Sequence, residues 1–159
     1  DRRVQLAPAT YLKDLARAAE ALHRSSPELV LIGRRHVRSN NSWLHNSQRL
    51  VKGKPRCTLL IHPDDAARRG IADGTIVQLR SRVGEVEVSA EVSADVMPGV
   101  VCLPHGWGHD RAGIRMAVAS RHAGVSINDV VDDQRVDALT GTAVLNGTPV
   151  EVLATAAGP

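Results

Sequence analysis

The sequence predicts a mainly β domain with short helices, folded as a six-stranded barrel, and three observations carry that prediction. Six short runs of aliphatic and β-branched residues recur along the chain. One small helix falls among them, so helices do not alternate with strands as a doubly wound sheet requires, and an open α/β fold is the weaker option. The apolar content, 43% of 159 residues, comes from Val, Leu, Ile and Ala, with no Phe, one Tyr and two Trp, a composition suited to pleated, half-buried surfaces. A chain of this length buries one real core and is too short for two ordinary domains.

From Thr10 to about His23, Leu12, Leu15, Ala16, Ala19 and Leu22 recur at three- and four-residue spacing, with Thr10 placed as N-cap, which predicts an amphipathic helix. Ser25, Ser26 and Pro27 break it, and Leu29-Val30-Leu31-Ile32 reads as a strand ending at Gly33. Thr58-Leu59-Leu60-Ile61 is the second strand. Pro63 opens a short helix with Asp64 and Asp65 in its first turn, Arg68 and Arg69 in its last and Gly70 beyond, each charge complementing the helix dipole. A turn over Ile71–Thr75 leads into Ile76-Val77-Gln78-Leu79. After Gly84, the run from Glu85 to Val92 alternates polar and apolar residues without an error, as a half-buried antiparallel strand does. Met97-Pro98-Gly99 turns the chain into Val100-Val101-Cys102-Leu103, expected to be buried on both faces, and Val150-Glu151-Val152-Leu153 closes the pattern.

Twenty Lys and Arg against 17 Asp and Glu leave a net charge of +3. That suits a phosphate-bearing partner and is too small to demand nucleic acid. Arg outnumbers Lys, and the guanidinium fork matches phosphate oxygens in pairs. Cys57 and Cys102 sit singly in apolar runs and read as buried free thiols. No run approaches a membrane span and no segment resembles a signal peptide. The chain opens at Asp1 without Met and reads as a piece of a longer polypeptide.

Residues 34–43, Arg-Arg-His-Val-Arg-Ser-Asn-Asn-Ser-Trp, form the most polar and least periodic stretch, which a packing role does not explain. Together with Leu31-Ile32-Gly33 before it and Leu44-His45-Asn46 after it, this stretch resembles the start of the molybdopterin-dinucleotide-binding domain of the dimethyl-sulfoxide-reductase family. Later landmarks agree in order: His62-Pro63-Asp64-Asp65-Ala66 through Gly70-Ile71-Ala72-Asp73-Gly74, then Pro104-His105-Gly106-Trp107-Gly108-His109, then Asn128 and Asp137-Ala138-Leu139-Thr140-Gly141-Thr142. The last piece departs from the family's Asp-Pro-Ser-Gly by a residue. The resemblance covers roughly residues 28 to 153. It implies a double-psi β-barrel, the aspartate-decarboxylase-like fold, over residues 28–159, with 1–27 a helix and linker from the preceding part of a parent enzyme.

The resemblance also implies a bis(molybdopterin guanine dinucleotide) cofactor with molybdenum or tungsten, shared with upstream domains of the same polypeptide. A pyrophosphate wants Arg and backbone N–H donors, and pterin and guanine edges want amides, hydroxyls and carbonyls. Arg38, Ser39, Asn41 and Ser42 are the expected pterin or phosphate contacts, with Asn46, Gly33 and Arg34 in the same stretch; the alternative is a solvated basic loop with Ser and Asn serving turns. Gly106 and Gly108 would let backbone approach a flat ring, beside His105, while Trp107 either stacks on that ring or anchors the loop. The Gly-Trp-Gly between His105 and His109 argues against a zinc site. Asn128 reads a pterin edge or makes an Asx turn.

In the family the metal ligand and any iron–sulfur cluster come from upstream, so no catalytic centre is expected in this fragment. The parent would be a cytoplasmic oxidoreductase with electron-transfer subunits among its partners. Two other readings share the barrel. A pyruvoyl-dependent decarboxylase needs a Gly-Ser bond, which this chain lacks. An adaptor module without cofactor would use the Arg-rich loop for protein docking. Nucleic-acid binding is weakened by the shortage of aromatics.

Overall fold

The computed structural model describes residues 3–155. Helix α1, Ala9–Leu22, is entered from Pro8, whose carbonyl accepts from the N–H groups of Tyr11 and Leu12 at 3.0 and 3.1 Å. Thr10, expected as the cap, lies instead within the first turn, because the fixed φ of Pro8 already aims the chain into the helix. No residue of α1 is buried: Leu12, Leu15 and Leu22 remain 53%, 60% and 84% exposed. The predicted apolar stripe thus has no partner among the described residues.

Seven strands make one curled sheet: β1 (Val30–Arg34), β2 (Thr58–Ile61), β3 (Ile76–Arg80), β4 (Glu85–Val92), β5 (Val100–Pro104), β6 (Thr148–Pro149) and β7 (Glu151–Ala154). Their spatial order is β6-β1-β5-β2-β4-β3-β7. The pairs β1/β5 and β2/β4 are parallel, and the others are antiparallel. The final segment pairs at both ends of that order, β6 with β1 and β7 with β3, with only Val150 between them. The sheet therefore curls far enough to bring its two edges to one stretch of chain. Six of the seven strands are those expected; β6, two residues long and half proline, is the addition.

The curl encloses Leu31, Leu59, Ile61, Val77, Leu79, Val101 and Leu103, all fully buried, with Ile127 and Val130 packed against them from a single 3₁₀ turn, Ile127–Asp129. Each such side chain contributes about 2 kcal/mol of hydrophobic stabilisation. Cys57 is half-buried and Cys102 buried, both as free thiols.

Helix α2 (Gln48–Val51) is one turn that buries Val51. Helix α3 (Pro63–Arg68) has the predicted start, stops before Arg69, expected in its last turn, and has one more cap: the imidazole of His62 accepts from the Asp64 N–H at 3.2 Å. Asp65 in its first turn is fully buried, and its carboxylate accepts from the Gly99 N–H at 2.7 Å just before β5. Arg69, beyond the helix, reaches Glu28 before β1 at 2.5 Å. So α3 ties together the entries of the two strands whose exits carry the site.

Candidate functional site

Because β1 and β5 run parallel and in register, from Val30↔Val100 to Arg34↔Pro104, the loops that follow them leave the sheet side by side. Gly33 and Arg34, expected at the start of the polar loop, are the last residues of β1. Their ladder continues one step further, since the His105 N–H donates to the Arg34 carbonyl at 3.0 Å. The His105 ring lies on Gly33, where a Cβ would stand 2.1 Å from Nε2. Gly106 (φ 88°) is required by the neighbouring loop: a Cβ there would meet the Asn41 carbonyl oxygen at 2.3 Å. The space beside Gly106 and Gly108 is thus taken by Asn41 and Ser126 rather than left open for a flat ring.

Three rings join the two loops. His45 and Trp107 pack with centroids 4.0 Å apart and planes tilted by 33°, and His109 meets the edge of His45 at 5.0 Å. His45 Nδ1 and His109 Nε2 share a hydrogen bond of 2.7 Å, and both imidazoles are buried. Burial, reinforced by the neighbouring His109, pushes the His45 pKa down to about 4. Burial also lowers His109. Trp107 thus packs on a ring of the first loop. Its indole Nε1 and His45 Nε2 are buried without a hydrogen-bond partner. Sequence reasoning missed the roles of His45 and His109, because nothing in their spacing shows that two loops 64 residues apart will face each other.

The expected contacts fall into two groups. Those that face outward are Arg38 and Asn41, both exposed, and the half-buried Ser42. Asn41 lies in the left-handed region (φ 63°), as does Asn40 (φ 41°), a conformation Asn tolerates best among residues with a side chain. The others hold the loops in shape. Arg34 donates to the carbonyls of Cys102 and Thr58 at 2.5 and 2.8 Å, clamping β1 to β5 and β2. Ser39 is buried with its hydroxyl on the His36 carbonyl at 2.9 Å. Asn46 accepts from the N–H groups of Val118 and Ala119 at 3.0 and 3.1 Å, and Gly33 donates to Asn146 at 2.8 Å. Asn128 is exposed on the 3₁₀ turn over the core.

A groove of ≈ 570 Å³ opens along the first loop, lined by Arg35, His36, Val37, Asn40, Asn41 and Leu44. Arg35 donates to the Asn41 side chain at 3.1 Å, leaving most of its fork available. Between Glu28 and Asp64 the chain carries no carboxylate side chain, while Arg34, Arg35, Arg38, Arg49, Lys52, Lys54 and Arg56 all fall in that interval. Only Lys54 finds a carboxylate among the described residues, Glu91 at 3.5 Å. The protein itself registers this excess: after desolvation, Arg56, Arg38 and Arg34 push the His36 pKa down, and Arg35 does so at His105. Such a donor set fits an anionic, polyoxygenated ligand, since guanidinium and amide groups are supplied and no carboxylate repels it. The acid-free interval was readable in the sequence and is the strongest unused signal. Among the described residues no group of three or more His, Cys, Asp or Glu could hold a metal ion, and no helix is long and apolar enough to cross a membrane.

Comparison with known proteins agrees with this chemistry. A relative in Haemophilus influenzae, "Trimethylamine-N-oxide reductase", is 44% identical over 52 residues, covering 33% of this chain and 6% of the relative. "Dimethyl sulfoxide/trimethylamine N-oxide reductase" of Rhodobacter capsulatus is 38% identical over 77 residues, covering 48% and 9%. "NADPH-Fe(3+) oxidoreductase subunit alpha" of Geobacter sulfurreducens is 33% identical over 102 residues, covering 63% and 11%. The chain thus matches only about a tenth of the length of such relatives. Among solved structures, "Acetylene Hydratase from Pelobacter acetylenicus" superposes with a TM-score of 0.68 over 96% of this chain and 21% of that one, at 20% identity, so the two share a fold. The model of the family described as "Molydopterin dinucleotide binding domain" matches residues 29–149, from the start of β1 to the end of β6, and the chain belongs to that family, within the dimethyl-sulfoxide-reductase group of molybdopterin proteins.

Proposed function

We propose that this domain closes over one side of a bis(molybdopterin guanine dinucleotide) cofactor carrying molybdenum or tungsten, in a larger oxidoreductase whose upstream domains hold the rest. The observation that carries the reading is the carboxylate-free cationic loop at the shared exit of β1 and β5, within the stretch the family model matches. Arg38, Asn41 and Ser42, joined by Arg35 and Asn40 of the groove, would meet phosphate and pterin edges. Arg34, Ser39, Asn46, His105, Trp107 and Gly33 act through loop shape, and Asn128 serves from the neighbouring turn. When bound, the metal supplies the redox chemistry; this chain supplies placement and hydrogen bonding.

Several finer points belong to the same proposal. The sheet is a closed double-psi barrel of six strands, with β6 and β7 acting as one kinked strand; their pairing at both sheet edges and the two parallel pairs support this. Residues 28–159 are the cofactor-binding unit, and 1–27, with the uncovered apolar face of α1, link it to the preceding domains. The parent works in the cytoplasm with electron-transfer subunits, which fractionation of tagged full-length protein would check.

Calorimetric titration with guanosine diphosphate, and anaerobically with released molybdopterin guanine dinucleotide, tests the site. Saturable binding should weaken about tenfold in Arg38→Ala, as loss of one charge-assisted contact predicts, and by less in Asn41→Ala. Binding indifferent to both substitutions overturns the placement.

A further inference from the structure

The cofactor-facing groove leaves two buried polar atoms unused, Trp107 Nε1 and His45 Nε2, neither with a hydrogen-bond partner among the described residues. Both residues line a small cavity behind the groove, together with His36, Arg38, Ser39, Leu50, Val51 and Arg56. We infer that this cavity is a binding site for one small inorganic anion of halide size, held by the Trp107 indole N–H and the His45 Nε2–H with Arg38 and Arg56 in its wall.

Three features of the wall select that ligand. The first is hydrogen-bonding sense. An indole N–H can only donate, and when His109 Nε2–H donates to His45 Nδ1 across 2.7 Å, the proton of neutral His45 sits on Nε2 and donates as well. In the same wall the Ser39 hydroxyl donates to the His36 carbonyl and the Leu50 carbonyl accepts from Arg56. Unpartnered N–H groups beside two guanidinium groups suit an anion, because each such contact is charge-assisted.

The second is charge, since Arg38 and Arg56 face no carboxylate among the described residues, and the cavity wall contains none. The third is size. The cavity volume is ≈ 10 Å³, which suits a compact ion. Exposed Arg38 can shift to accommodate an ion slightly larger than water. The site is closed on its inner side by Leu50 and buried Val51, which lower the local dielectric and strengthen each N–H contact. Its indole and imidazole donors are ones the groove does not use, while Arg38 is shared with the pterin reading.

Trp43 is 83% exposed, so Trp43→Phe leaves Trp107 as the single indole of the two in the chain without touching the cavity. In that background, chloride is titrated against gluconate at constant ionic strength while Trp107 emission is followed, and crystals are grown in bromide for anomalous diffraction. A saturable change in emission and an anomalous peak between Trp107 Nε1 and His45 Nε2 are expected. Trp107→Phe keeps the ring and deletes the donor, and should abolish the peak. Arg38→Gln, an exposed change that leaves the fold intact, should weaken chloride by at least about tenfold. A linear, non-saturating response together with a water lacking anomalous signal overturns the inference, as does chloride binding unchanged in Arg38→Gln.

Discussion

Two sets of arginines on this domain live under opposite rules. Around α3 and the β3–β4 hairpin, Arg68 and Arg69 meet Asp65, Arg69 also meets Glu28, Arg80 meets Glu151 and Arg82 grips Asp132 through two hydrogen bonds of 2.8 and 2.7 Å. Around the exits of β1 and β5, Arg34, Arg35, Arg38, Arg49 and Arg56 make no ion pair among the described residues; where they bond, it is to carbonyls, a hydroxyl or an amide. The same residue type is paired with acids on one side and left without an ion pair on the other, even where, as with Arg34, it clamps strands together. Positive potential kept against its own repulsion is what an anionic ligand needs on arrival.

The largest test of this contrast is Asp65→Ala. The carboxylate is fully buried and holds Arg68, Arg69 and the Gly99 N–H. Its removal leaves the half-buried Gly99 N–H without its acceptor and takes from nearly buried Arg69 one of its two carboxylates, at a cost of about 3 kcal/mol. Thermal unfolding should show a large drop, and Asp65→Asn, which keeps an acceptor for Gly99, should lose less. A small loss in Asp65→Ala would mean that the neutralised side is not where stability is concentrated.

Acid should strike the other side. His45 has its pKa lowered from 6.5 to about 4, chiefly by burial, and His36, His105 and His109 are shifted the same way. In this window the unfolded chain binds protons that the folded chain refuses, so stability rises with pH. It is fully present above pH 6.5, falls on acidification and flattens below about 4. His45 alone accounts for at most about 3 kcal/mol. Unfolding followed from pH 7 to 4.5 checks this, and a His45→Gln variant should flatten the profile. Unchanged steepness in that variant would place the acid sensitivity elsewhere.

Gly106→Ala comes next. Its φ of 88° and the 2.3 Å approach of a Cβ to the Asn41 carbonyl predict about 2 kcal/mol of strain or displacement, concentrated where the two loops touch. Unfolding should show the loss, and nucleotide titration should weaken with it. Binding left intact at lowered stability would show that the first loop keeps its shape without the second.

The legibility of the chain in its sequence follows the same division. Helix α3 was readable because its signals are all local: Pro63 at its start, Asp64 and Asp65 in the first turn, Arg68 in the last. Strands β2 and β4 were readable to the residue, the one as a bounded apolar run and the other by strict alternation. β6 was not, since two residues have no period and one of them is proline. At the site, the polar loop was recognised by composition, yet composition could not separate outward Arg38 from inward Arg34, whose partners lie 24 and 68 residues away. The His45–Trp107–His109 contact is likewise a product of parallel pairing between β1 and β5, which no local pattern encodes.

The smallest effect discriminates most finely. On an ordinary surface an exposed Arg→Gln change is close to neutral, and where the arginine has an acid partner it costs a little. Arg38 has no carboxylate partner and stands among other cations, near enough that both it and Arg56 depress His36. Replacing it with Gln removes repulsion without removing a bond, so unfolding should be unchanged or shifted upward by about 0.5 kcal/mol at low salt. The gain should vanish as salt screens the cluster, because exposed charges interact over roughly a Debye length. The same change should weaken nucleotide binding, giving a variant that is no less stable and yet poorer in function. Loss of stability in Arg38→Gln would mean that this arginine, too, serves the fold, and the division between the two sides would fail at an exposed member.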